Sequence, residues 1–386
     1  MHVSRLSLRD FRTYRALALD LPPGPVVLHG PNGAGKTNLL EGLVFACTGA
    51  SFRAHGEEEV IRWEAEWALA RADIERPADS ALRLDVAVGR PGGGRLVRQI
   101  KVNGARKPRR ADLLGLAPVA LFSVEDIEMV KGDAAVRRDF LNSEIAVDSR
   151  GYYWTLARYG RALEQRNRLL KEIREGRGRP ADLAPWEEQL GRHGAVLVLK
   201  RSDFFARLQP AATAALQELT GRRTELEVIY RPALGAARDS LDAARGAAFP
   251  SAEAVMETMR QEFAVRRDEE SARGYTLTGP HRDDFTVLLG GREARVYGSQ
   301  GEQRSAAIAL RLGRYRLLTE ERGDPPLLLL DDVLSELDST RRDGLFRAAA
   351  GAAQVIITTV EPGSIPEPWR SQARLGRVSP GQVEWE

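Results

Sequence analysis

The sequence predicts an α/β protein, with mixed sheets toward both ends of the chain and a helical domain inserted between them. Three observations predict it. Period-two alternation of apolar residues marks strands before about residue 125 and again after Gly274. A short buried-type strand near the N-terminus runs through a glycine-rich turn into a helix, and the middle of the chain carries helical spacing instead.

In chain order, residues 3 to 8 and 17 to 21 alternate around a turn at 11 to 14, which reads as a β-hairpin, and Pro22-Pro23-Gly24-Pro25 breaks the chain after it. Residues 26 to 29 (Val-Val-Leu-His) form the buried strand; 38 to 49 follow as a helix with Leu39, Leu40, Leu43 and Val44 on one face. Alternation from 82 to 102 gives further antiparallel strands, and Asn103-Gly104 is a hairpin turn. Beyond 125, Tyr152, Leu156, Tyr159, Leu163, Leu170 and Ile173 lie on a helical seam broken at Arg166, and Trp186, Leu190, Leu197, Phe204 and Leu208 mark a second helix. The loop at 175 to 180 folds them into a short antiparallel hairpin with arms roughly 30 Å long. A strand at 285 to 289, a helix over 301 to 322 and buried parallel strands at 327 to 330 and 355 to 359 follow. The expected organisation is one domain of residues 1–125 plus 275–386 and an inserted helical arm domain of 126–274.

The composition narrows the classes. A chain of 386 residues suits two compact units, and 43% hydrophobic with 29% charged residues is globular. The longest apolar runs are too short for a bilayer, and the N-terminus lacks a signal-peptide pattern, so we expect no membrane association and a cytoplasmic location. A single cysteine, Cys47, excludes an internal disulfide and a cysteine-rich zinc site. A net charge of +3 does not by itself name a nucleic-acid partner.

Gly30-Pro31-Asn32-Gly33-Ala34-Gly35-Lys36-Thr37 fits the phosphate-loop pattern G-x-x-x-x-G-K-[ST] at every position, in the strand-loop-helix context the pattern requires. Its glycines let backbone N–H groups converge on phosphates, Lys36 reaches the β- and γ-phosphates of ATP, and the Thr37 hydroxyl suits Mg²⁺. Leu327 to Leu330 followed by Asp331-Asp332 suits a Walker B element: Asp331 in the Mg²⁺ shell, Asp332 orienting or deprotonating the attacking water. Gly298-Ser299-Gln300-Gly301-Glu302-Gln303-Arg304 opens a helix with an anion-friendly turn; read alone, Ser299 is an ordinary N-cap.

These motifs, with 8 to 14 (Leu-Arg-Asp-Phe-Arg-Thr-Tyr), Asn38-Leu39-Leu40-Glu41, 278 to 284 (Thr-Gly-Pro-His-Arg-Asp-Asp) and Ser335-Glu336-Leu337-Asp338, resemble the bacterial RecF family. The resemblance implies an ABC-type ATPase head related to those of SMC proteins, with a helical lobe where those relatives carry long coiled coils. It implies an ATP-dependent homodimer in which Ser299, Gly301, Gln303 and Asp338 of one subunit face the nucleotide bound by Gly30, Asn32, Gly33, Gly35, Lys36, Thr37 and Asn38 of the other. Thr37 and Asp331 would hold Mg²⁺, with Lys36 and Asp332 catalytic. The implied partners are single- and double-stranded DNA, gapped or junction DNA, RecO and RecR, and RecA indirectly, during recombinational repair.

Two departures stand out: Asp332 where such ATPases usually have Glu, which favours slow turnover, and Thr358-Thr359 where a switch His is expected. The Q-loop role stays unassigned, with 122 to 126 in the expected place. Arg95, Arg98, Lys101, Arg106, Lys107, Arg109 and Arg110 around a hairpin are either a phosphate track for DNA or a solvated basic face. The bases of the arm, Arg166 among them, read as helix exterior. A transporter motor is disfavoured because the turn at 298 to 304, which by order and spacing resembles the cassette signature motif, lies so far beyond the phosphate loop. A nucleotide-gated DNA assembly module, with hydrolysis incidental, is the alternative from another class.

Overall fold

The computed structural model describes residues 1–54, 56–76, 81–238, 240–245 and 249–386. They form two compact units, 1–126 with 214–223 and 308–386, and 127–213 with 224–307.

The first unit holds two sheets. One is antiparallel, in the order β2-β1-β4-β5-β6-β7, from β1 (His2–Phe11), β2 (Tyr14–Asp20), β4 (Trp67–Glu75), β5 (Leu82–Gly89), β6 (Val97–Val102) and β7 (Ala105–Lys107). The N-terminal hairpin pairs Leu6 with Leu19 and Phe11 with Tyr14, so the alternating apolar residues of the pattern share the inner face. The other sheet runs β15-β14-β3-β13-β12-β8, from β3 (Gly24–His29), β8 (Val119–Ser123), β12 (Leu327–Asp331), β13 (Gln354–Thr359), β14 (Arg374–Ser379) and β15 (Gln382–Trp385). Its strands β14, β3, β13, β12 and β8 are mutually parallel; the near-continuous apolar runs of the inner strands β3, β13 and β12 are buried, and β8 forms a half-buried edge. Helix Lys36–Thr48 lies between the sheets' apolar faces, its Leu39, Leu40, Leu43 and Phe45 fully buried in one core with Leu6, Val86, Leu329 and Ile356.

The second unit contains helices Ala134–Asp148, Arg150–Arg174 and Ala252–Arg273, most of Ala184–Thr220, and a sheet of β9 (Leu226–Arg231), β10 (Asp284–Leu289) and β11 (Arg292–Glu293). Two expectations change here. The strand at 285 to 289 was assigned to the first domain, yet β10 pairs antiparallel with β9 along its whole length, Asp284 to Arg231 and Leu289 to Leu226, so the second unit extends to 307 rather than ending at 274. The helical seam also has a third member. Helix Ala252–Arg273 puts Phe263 under the Arg166 guanidinium, 4.5 Å from the ring centre. Arg166 therefore does not break the seam and is not exterior: fully buried, it donates to Glu270 (2.7 Å), Glu187 (2.9 Å) and Thr276 (2.9 Å).

Candidate functional site

The phosphate loop connects β3 to helix Lys36–Thr48. Gly33 and Gly35 sit at φ +81° and +105°, a region that strains any residue with a Cβ, and a Cβ on Gly30 would run into the Val378 carbonyl. The helix starts at Gly35 without a side-chain cap or an acidic residue in its own first turn, leaving N–H groups there without a side-chain partner from the cap. Lys36 is nearly buried, and its ammonium donates to the loop carbonyls of Gly30 (2.7 Å) and Pro31 (3.0 Å). Burial lowers its pKa, with Asp332 and then Asp331 opposing the shift.

The parallel register brings the ends of three strands together, Asp331 beside Thr358 on one side and Ser123 on the other. Thr37 donates to Asp331 Oδ1 at 3.1 Å, joining the loop to the end of β12 across 294 residues of sequence. Burial raises the Asp331 pKa; the hydroxyls of Thr358 and Thr37 and the charge of Arg53 pull it back. Asp332 adopts a left-handed conformation, φ +53° and ψ +18°, and heads the short helical turn Val333–Glu336. Burial raises its pKa too, against the attraction of Lys36. A hydroxyl and a carboxylate 3.1 Å apart, beside an uncapped helix N-terminus and a lysine, form an oxygen donor set that fits a hard divalent cation on a nucleoside triphosphate.

The structure gives several neighbours a bracing part that the sequence reading did not assign. Tyr14 donates to the Gly35 carbonyl (3.1 Å), and Thr13 accepts from Asn38 (3.1 Å), so the β1–β2 turn braces the loop. That turn is anchored by an ion pair to a buried acid: half-buried Arg12 reaches both oxygens of Glu41 in the helix, at 2.9 and 2.7 Å. Arg53 bonds Asn38 Oδ1 at 3.3 Å and projects its charge at Asp331. The motif at 8 to 14 is a signal for the brace; nothing in the sequence singles out Arg53.

The residues expected to act in trans lie elsewhere in the chain's two units. Ser299, in the second unit, is exposed and forms a capping box with Glu302 for helix Gln300–Arg322: its N–H and hydroxyl reach Glu302 Oε2 at 2.9 and 2.8 Å. Gly301 is half-buried beside it. Gln303 departs from expectation. It is buried, and its amide donates to the carbonyls of Ala294 (3.0 Å) and Gly298 (3.1 Å), so it braces the turn from within rather than facing outward. Asp338, in the first unit, caps helix Ser339–Ala349 through Arg341 N–H (2.9 Å).

The basic hairpin is divided by its own pleat. Lys101 pairs with Arg106, placing both on one face with Lys101 and Arg106 exposed. Lys107 pairs with the buried Ile100 on the other face, which Arg98 shares, ion-paired to Glu57. Arg110 donates to the Thr48 carbonyl at 3.0 Å, while Arg95 and Arg109 are exposed. The bases of the hairpin strands are therefore divided between its two faces.

The family described as RecF/RecN/SMC N-terminal domain matches residues 2–373. A DNA replication and repair protein RecF from Symbiobacterium thermophilum is 39% identical over 386 residues, covering 99% of this chain and 98% of the relative. One from Kineococcus radiotolerans is 38% identical, covering 96% of each.

This chain belongs to the RecF family.

A solved structure, the recombination mediator protein RecF-ATP in the RecFOR pathway, superposes on this RecF-family chain with a TM-score of 0.88 at 28% identity, covering 100% of this chain and 97% of the other. An SMC head bound to the C-terminal winged-helix domain of ScpA matches at a TM-score of 0.53 and 12% identity, a likeness of fold alone. The architecture is therefore the ABC-type ATPase head shared by RecF and SMC proteins, in a family of DNA replication and repair. Among the described residues no helix is long and apolar enough to cross a membrane.

Proposed function

We propose that this chain is a slow, DNA-stimulated ATPase that pairs with a second copy on binding ATP, recognises gapped or junction DNA, and, with RecO and RecR, helps load RecA. The observation that carries the reading is the hydrogen bond between Thr37 and Asp331, which joins a phosphate loop to a Walker B acid in one site. Gly30, Asn32, Gly33, Gly35 and Asn38 line the nucleotide, and Lys36 leaves its loop carbonyls for the β- and γ-phosphates. Thr37 and Asp331 hold Mg²⁺, which supplies charge neutralisation at the phosphates. Asp332 takes the proton of the attacking water, and its side chain, one methylene shorter than Glu, makes turnover slow. Ser299, Gly301 and Asp338 of the second copy close the site, the Gln303 amide holding the Ser299 turn in shape.

Sizing the purified protein with and without ATP, Mg²⁺ and gapped DNA tests this directly. Asp332→Asn is expected to give a dimer that persists in ATP and turns over at least about 100-fold more slowly. A monomer under every condition, or normal hydrolysis by Asp332→Asn, sinks the reading.

A further inference from the structure

β13 is a buried strand whose run Val355-Ile356-Ile357 ends at Thr358, which has no exposed surface at all. Val would suit that place by shape and strand propensity, and a hydroxyl there costs free energy unless it is bonded. The Thr358 hydroxyl is bonded twice over. It donates to Asp331 Oδ1 at 2.7 Å and accepts the Asp332 N–H at 3.0 Å. The Leu330 carbonyl, at 3.5 Å, is the weaker competitor for its single proton. Its neighbour Thr359 does something different, bonding within the turn that follows, to the Glu361 carbonyl (3.2 Å) and Ser364 Oγ (3.0 Å).

We propose that Thr358 is a positioning residue for ATP hydrolysis, its one hydroxyl fixing the carboxylate of Asp331 and the backbone of Asp332 together. This rests on the roles proposed above for those two acids. Both hydroxyls that reach Asp331 land on Oδ1: Thr37 from the loop and Thr358 from the strand. When Thr37 turns to a cation, Thr358 keeps the carboxylate from rotating with it. The Thr358 hydroxyl oxygen takes the N–H of Asp332, a residue held at φ +53°, a conformation that strains a non-glycine residue and persists only where the surroundings impose it. The Ser335 hydroxyl, on the Asp332 carbonyl at 2.7 Å, holds that residue from its other end. Thr358 thus stands where a cassette-type ATPase is expected to carry a switch His, and its hydroxyl acts on the two acids.

The test compares Thr358→Val, which keeps the shape and deletes the hydroxyl, with Thr358→Ser, which keeps the hydroxyl. Removing a group that orients a metal ligand costs about 10–100-fold in activity or metal affinity. Thr358→Val is expected to lower kcat by about that factor and to weaken ATP binding in Mg²⁺, while binding of a fluorescent ATP analogue in EDTA changes less than about threefold. Thr358→Ser should stay within about threefold of the parent in all three measurements. Parent-like kcat and Mg²⁺-dependent binding in Thr358→Val overturn the proposal, as does a Thr358→Ser variant as impaired as Thr358→Val. Should Thr358→Val lose its melting transition, Thr358→Cys takes its place under the same two criteria. The underlying assignment fails separately, through unimpaired hydrolysis by Asp332→Asn.

Discussion

The two units of this chain use the same kinds of side chain to opposite ends. At the phosphate loop, Lys36 bonds, among the described residues, only its own loop's carbonyls, and Asp331 and Asp332 are pushed toward protonation by burial. In the second unit, Arg201 and Asp283 are more deeply buried and closed on themselves. Arg201 reaches Asp283 (2.6 Å), the Pro280 carbonyl (2.7 Å), Tyr152 (3.0 Å) and Asn142 (2.9 Å), and Asp283 also accepts from Tyr230 and from the Ala233 N–H (2.8 Å). The difference separates a group kept for a ligand from a group that holds the fold. It also explains the stretch at 278 to 284, so prominent in the sequence: its Asp283 and Asp284 are structural anchors, the latter gripped by Arg137 at 2.8 Å.

That contrast can be broken by one pair of variants. Arg201→Met leaves the Asp283 carboxylate buried without its counter-charge and should cost about 3–5 kcal/mol, read by chemical unfolding. Combining it with Asp283→Leu should recover part of the loss, because the orphaned charge is removed. Lys36→Met should do the reverse, abolishing measurable ATP binding while shifting stability by less than about 1 kcal/mol. Equal destabilisation by Arg201→Met and Lys36→Met would show that both clusters are structural.

A smaller effect sharpens the comparison through pH. His281 is half-buried, its Nδ1 2.9 Å from the Tyr159 hydroxyl and its Nε2 3.3 Å from the Thr276 carbonyl, an arrangement that suits the neutral ring. Burial lowers its pKa from 6.5 to about 4. The unfolded chain therefore binds the proton first as pH falls, so stability is lost between pH 6.5 and about 4 and levels off below. Between pH 7 and pH 5 this group alone should cost about 2 kcal/mol. In His281→Asn that component of the pH slope should vanish; an unchanged slope would assign the acid sensitivity to other groups.

What the sequence disclosed follows the same division. The loop at 30 to 37 and the acids at 331 and 332 were readable because strand-loop-helix order and a strand ending in Asp-Asp are local patterns. β4 was not, because its inward residues Ala68, Ala70 and Ala72 give weak alternation and weak strand propensity. The strand at 285 to 289 was readable as a strand, but its partner β9 was not, since pairing across more than 50 residues leaves no local trace. Arg166 read as a surface base because charge in a seam looks like an interruption until Glu270 and Glu187 are brought to it. Arg53 has no motif of its own, and although Tyr14 stands in the stretch at 8 to 14 and Thr358 where a switch His is expected, their contacts with Gly35 and Asp331 come from neighbours that only the fold supplies.

The smallest effect expected concerns DNA, and it turns on the pleat of β6 and β7. If the exposed face of this hairpin tracks phosphates, Lys101 and Arg106 carry the contact, being adjacent across the strand pair and open to solvent. Lys101→Ala with Arg106→Ala should then reduce the slope of log affinity against log salt by about two, one for each phosphate released, without altering preference among DNA sequences. Arg98 and Arg110 serve as the internal comparison, since one is paired with Glu57 and the other holds the Thr48 carbonyl at the end of the phosphate-loop helix. Their replacement by Ala should lower stability and leave that slope within experimental error. A slope that falls equally for both pairs would mean that the ion pair with Glu57 opens on DNA, and that the whole basic hairpin, both faces of it, serves as the track.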